Sequence, residues 1–141
     1  MVSLVQIICQ LFLAAFLGSL IGLEREIKRK GAGLQTYSLV TLGACLFAVI
    51  AFSLAKSIND FDPSMIIMAI ALGMGFIGAG AIVRGEFHIE GLTTAAGLWT
   101  AAAIGLAVGA NFYFLAIAAT FLVIGILAGF GLIEEKILKK E

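Results

Sequence analysis

Few side chains in this 141-residue sequence could do chemistry. Glu24, Arg25 and Glu26 close a long uncharged run, and Lys28 follows Glu24 by one helical turn. An acidic group placed there, beside glycines, has two readings. It turns into a helix bundle, where an ionisable group is a functional candidate, or it stays at the surface and pairs with Lys28 at i+4 or with Arg84. Arg84 ends another apolar run, where a cation complements a helix dipole and could equally contact an anion or a headgroup. Glu86, His88 and Glu90 alternate along the chain, which on extended backbone puts them on one side. Histidine with carboxylates is a donor set for a transition metal, and carboxylates with retained water suit Mg²⁺. The plain alternative is a solvated histidine. Asp62 precedes Pro63, a pair that suits a helix start, because aspartate caps and proline fits the first turn. Outer cation capture is the other role open to Asp60 and Asp62. No GxSxG, Walker A, HExxH or cysteine–histidine arrangement is present, so nothing points to an enzyme, and no cofactor is implied.

The elements that must position these groups are membrane spans. The chain is 62% hydrophobic and 13% charged, against about half apolar and a quarter charged in soluble domains. Nine basic and nine acidic residues give no net charge, which excludes a nucleic-acid partner that needs a basic surface. A helix needs roughly 20 apolar residues to cross about 30 Å of hydrocarbon. Five runs qualify: 4–23, 36–55, 64–83, a short 94–109, and 112–133. The expectation is an all-α bundle of five transmembrane helices forming one domain, 1–141. The first run lacks a basic n-region and reads as an uncleaved anchor. With the N-terminus outside, Arg25, Lys28, Arg29, Lys30, Arg84, Lys136, Lys139 and Lys140 fall in the cytoplasm and only Lys56 falls outside. The positive-inside rule therefore gives N-out, C-in. Lys28, Arg29 and Lys30 also read as an orientation signal that attracts anionic lipid.

Lipid-embedded helices approach closely where small residues recur at i, i+4. The fourth span has Thr93, Gly97, Ala101, Gly105 and Gly109; the first has Ala14, Gly18 and Gly22; the fifth has Gly125 and Gly129. The third has Ala71, Gly75 and Ala79 on one face and Gly73 and Gly80 on another, with Gly78 nearby. Small residues on several faces predict that the third span is central. Partners are then the lipid bilayer, other integral membrane proteins and a second copy of the chain. Cys9 and Cys45 read as apolar packing residues, Gln6 and Gln10 as interhelical hydrogen bonders, and Thr93 and Thr94 as caps of the fourth helix. Trp99, inside that span, reads as a packing residue. Between the third and fourth spans, Gly85-Glu86 predicts a two-residue turn in a short cytoplasmic β-hairpin that dips toward the bundle.

The runs Gly18–Glu26, Ala32–Thr36, Asp62-Pro63, Gly73–Gly80 and Gly91–Trp99 together resemble, in order, the MgtC/SapB family. The resemblance covers nearly the whole chain. It implies an inner-membrane protein of about five spans, linked to growth at low Mg²⁺ and, in pathogens, to survival inside host cells. The function it implies is non-catalytic modulation of other membrane machinery, such as the F-type ATP synthase, with transport of Mg²⁺ or another small ion as the alternative. By motif position, the residues it marks are Glu24, Arg25, Asp62, Gly78, Arg84, Gly91, Thr93 and Trp99. Gln35 stands where the family usually has arginine, which removes a cytoplasmic cation. Longer members carry a cytosolic ACT-like C-terminal domain, and none is expected within these 141 residues.

Overall fold

The computed structural model describes residues 3–131. Its elements are α1 (Leu4–Ile27), α2 (Leu34–Ser57), α3 (Ser64–Gly80), β1 (Val83–Arg84), β2 (Ile89–Glu90), α4 (Leu92–Gly109) and α5 (Tyr113–Gly125). The last helix continues as a π-helical turn, Ile126–Phe130. Lys136, Lys139, Lys140 and the end of the fifth expected span lie outside the described residues. With α5 and its π turn taken together, four helices are long and apolar enough to cross a membrane, and α3, at 17 residues, is shorter.

Helix ends differ from the hydropathy edges for identifiable reasons. Helix α1 runs four residues beyond Leu23 because charged side chains at the membrane surface do not interrupt backbone hydrogen bonding. It starts at Ser3, whose hydroxyl accepts from Gln6 N–H at 3.2 Å. It ends with Arg29 in the left-handed region (φ 53°), its N–H donating to Glu26 O and that of Lys30 to Arg25 O. Asn111 (φ 69°) ends α4 in the same way, with Asn111 N–H to Val108 O and Phe112 N–H to Ala107 O. These paired bonds reach carbonyls that the helix itself leaves free.

The core is a three-helix contact among α1, α2 and α4 built on glycine. A Cβ at Gly22 would lie 2.6 Å from Leu34 Cα, and one at Gly109 would lie 2.6 Å from Cys45 O. One at Gly18 would collide with the Thr41 hydroxyl, one at Gly97 with the Tyr37 hydroxyl, and one at Gly105 with Thr41 O. Thr41 is fully buried between the glycines of α1 and α4, and its hydroxyl donates back to α2 carbonyls. The central helix is therefore α4, which packs against all four others. This corrects the expectation for the third span: α3 buries only Met74 and Gly78, and Gly73, Gly75 and Gly80 have nothing within 4 Å of where a Cβ would sit.

The hairpin forms, with Val83 opposite Glu90 and Arg84 opposite Ile89. Its turn is Glu86-Phe87, not Gly85-Glu86: Gly85 N–H donates to His88 O at 2.9 Å. Gly85 is not in the left-handed region. It is a glycine because the His88 ring covers it, at 2.9 Å from where a Cβ would be. Phe87, at the tip, is 96% exposed, so the hairpin stands off the bundle and does not dip into it. Neither Thr93 nor Thr94 caps α4. Gly91 does (φ 86°), in a conformation that favours glycine and so close to Ala81 O that a side chain would not fit.

Candidate functional site at the charged end of the bundle

Three α1 side chains converge where that helix leaves the bundle. The Glu24 side chain is 12% exposed, and Lys28 Nζ lies 2.9 Å from its Oε1. This is an ion pair by distance, approached from a direction that does not complete a hydrogen bond. The pairing is the i+4 one of the two expected. Arg84 is exposed on β1 and joins no ion pair among the described residues.

Arg25 is the surprise. Its side chain is 4% exposed, and among the described residues its one hydrogen bond runs 3.5 Å from Nη1 to Glu24 Oε2 and its Nε has no partner. A buried guanidinium with so few bonds depends heavily on the carboxylate beside it. Tyr37, fully buried on α2, lies within electrostatic reach of both. Its hydroxyl donates to Thr94 O on α4 over 3.4 Å, a long bond in the space that Gly97 leaves open. A side chain flanked by Glu24 and Glu26 gives no sign in the sequence of pointing inward, so Arg25's burial was not legible.

Lys28 does more than attract lipid. Its ammonium donates to Leu127 O at 2.9 Å, in the π turn at the end of α5. The Lys28 ammonium bonds directly to the backbone of the π turn. Glu24 and the end of α5 are thus joined through a single ammonium. Glu26 works on the next element, accepting the Leu34 N–H at 3.2 Å at the start of α2. Gly33 has no room for a side chain beneath that carboxylate.

The remaining candidates lie apart from this cluster. Asp62 begins α3: its two oxygens accept Ser64 N–H at 2.8 Å and Ser64 Oγ–H at 2.6 Å. Those bonds hold its pKa below the usual carboxylate value. His88 lies 3.5 Å from Glu90, Glu86 does not join them, and no group of three such side chains converges to hold a metal among the described residues. Thr93 is exposed in the first turn of α4. Trp99 is not enclosed as a packing residue would be; it is 53% exposed and its indole donates to Ala71 O of α3 at 3.3 Å.

The sequence also understated one constellation. Gln10, 2% exposed, donates to Val108 O at 3.0 Å and to Asn111 Oδ1 at 3.2 Å. Gln6 donates to the same Oδ1 at 2.8 Å, as does Tyr113 Oη at 2.9 Å. The expected interhelical bonding is present, but what it builds is a lock on the α4–α5 turn at the end of the bundle away from Glu24.

Residues 11–136 match the family described as MgtC. The chain is 37% identical over 140 residues to the "Putative magnesium transporter YhiD" of Escherichia coli (strain K12), covering 96% of this chain and 65% of that protein. It is 40% identical over 113 residues to Protein SapB of Bacillus subtilis (strain 168), covering 76% and 49%. It is 42% identical over 113 residues to Protein MgtC of Brucella abortus (strain 2308), covering 80% and 46%. The chain therefore spans between about half and two thirds of the length of these relatives. No solved structure matches.

Proposed function

Because the chain belongs to the MgtC family and is a multi-pass inner-membrane protein, we propose that it is a non-catalytic modulator of other membrane machinery, such as an F-type ATP synthase, linked to growth at low magnesium. In this reading residues 1–141 act as one membrane domain, oriented N-out and C-in, with the Glu24–Arg25–Lys28 cluster on the cytoplasmic side. The observation that carries it is the outer face of α3. Ala71, Gly75 and Ala79 recur at i, i+4, all three are exposed, and nothing lies near Gly75. In a bilayer such a face lets another backbone approach, and here a helix of a partner protein takes that place.

Transport is the second reading, favoured by the printed name of the Escherichia coli relative. A transported divalent ion calls for acidic or carbonyl ligands near the membrane midplane. The carboxylates Glu24, Glu26, Asp60, Asp62, Glu86 and Glu90 all sit at helix ends, in loops or on the hairpin, which supports modulation instead.

Two measurements separate the readings. Inverted membrane vesicles with and without the protein are assayed for ATP-driven proton pumping. Modulation predicts a change with the wild type that Gly75→Leu abolishes. Purified protein in liposomes is assayed for Mg²⁺ influx. Saturable influx lost in Glu24→Gln, with pumping unaffected by the protein, would overturn the modulator reading.

A further inference from the structure

Helices α2 and α3 diverge to leave a groove of about 700 Å³, walled by Leu39, Phe47, Ile70 and Ile77 and floored by Gly43 and Gly73. Neither glycine has an atom within 4 Å of where its Cβ would be. At one end Gln35 and Thr36 line both this groove and a second, polar pocket of about 360 Å³ that Glu26, Gly33 and Leu34 complete. The two pockets adjoin at these shared residues, one apolar along the helices and the other polar beyond them.

We propose that these adjoining pockets bind a phospholipid, with one acyl chain in the α2–α3 groove and an amine-bearing headgroup at Glu26. Length selects the occupant. From Gln35 to Phe47 the groove runs about 18 Å at 1.5 Å per residue. A membrane-crossing partner helix needs about 30 Å, whereas an acyl chain reaches only through one leaflet, about half of that. Charge selects the headgroup. Glu26 uses Oε2 to hold Leu34 N–H and joins no ion pair among the described residues, so its carboxylate can take a cation. The adjoining first turn of α2 presents backbone N–H groups that no intrahelical carbonyl can satisfy, and a phosphate suits them. A zwitterionic phosphatidylethanolamine complements both. Gly73 faces this groove and Gly75 faces outward, so the inference stands whether or not the modulator reading does.

The test is photo-crosslinking in phosphatidylcholine vesicles doped with a phosphatidylethanolamine that carries a diazirine in one acyl chain, with labelled residues mapped by mass spectrometry. The expected result is labelling concentrated on Leu39, Gly43, Ile70 and Met74. Gly73→Leu, which fills the groove, reduces it about tenfold, while Gly75→Leu leaves it unchanged. A phosphatidylglycerol probe with the same chain labels these positions several-fold less, and Glu26→Gln removes that preference. Unfolding temperatures by circular dichroism establish that each variant is folded. Labelling spread evenly over all lipid-facing helix surfaces, or unchanged in folded Gly73→Leu, would overturn the proposal. So would a photoreactive amino acid placed at Leu39 that crosslinks to a second polypeptide in place of lipid.

Discussion

Helices α3 and α4 carry the same signature, small residues at i, i+4, and meet opposite fates. On α4, Gly97, Gly105 and Gly109 are filled by Tyr37, Thr41 and Cys45 of α2, which also steps along its length in turns. On α3, Gly73, Gly75 and Gly80 face open space. A small residue records that something approaches closely and does not record what. The fold supplies the neighbour for α4; for α3 it supplies none at these glycines, and those are the faces on which we place a partner helix and a lipid chain.

The strongest way to break this comparison is to add the same methyl group to both helices. Gly105→Ala drives a Cβ into the Thr41 carbonyl, which is backbone and cannot swing aside. Overpacking of this kind costs about 1–3 kcal/mol, so thermal unfolding in detergent should occur well below the wild type. Gly75→Ala meets no atom and gains helix propensity of up to about 1 kcal/mol. Its unfolding temperature should hold or rise. Equal destabilisation by both would mean that α3 is packed as α4 is.

The sequence carried the α4 face because periodicity is local, and three of its glycines, Gly97, Gly105 and Gly109, are the ones α2 fills. It misplaced α3 because the same periodicity holds no information on whether the partner is intramolecular. Spans were legible from hydropathy, though charges at Glu24 and Glu26 hid the final turn of α1, since water lets that turn stay helical. The hairpin was legible and its turn was not: Gly85 resembled a turn glycine but serves to seat the His88 ring. At the charged end, the Glu24–Lys28 pair is one of the two pairings that the sequence offered, the other being with Arg84. Lys28's bond to Leu127 was not legible, because it depends on where the fold brings a turn about a hundred residues away.

The two helices are also secured differently. Helix α4 ends against Gln10, whose amide satisfies Val108 O and reaches Asn111 Oδ1. Gln10→Leu removes one donor from each of those acceptors, and interhelical bonds of this kind contribute about 0.6–1.7 kcal/mol. The same unfolding assay should register that loss, and no change would show that the lock is redundant with Gln6. Helix α3 is tied to α4 by the Trp99 indole at Ala71 O. Trp99→Phe removes one long, exposed bond and should cost about 0.6 kcal/mol or less. The expected readout is faster reaction of a cysteine placed at Met74 with an apolar maleimide while global unfolding stays put. If α3 is held as α4 is, neither will move.

The gentlest test concerns the start of α3, outside the membrane-spanning segments. Ser64's hydroxyl and N–H both donate to the Asp62 carboxylate and depress its pKa below the usual 3.8. A depressed folded-state pKa means the ionised form is favoured by folding. The stabilisation is therefore fully present at neutral pH, and is lost as pH falls below 3.8 through the folded value. Asp62→Asn keeps the shape and removes the charge. The ratio of Ser64 amide exchange rates, variant over wild type, should be about two- to fivefold at pH 6. It should approach one as the wild-type carboxyl takes up its proton, because the two side chains are then both neutral. A ratio that does not change with pH would mean that the bond geometry, and not the charge, anchors the short helix.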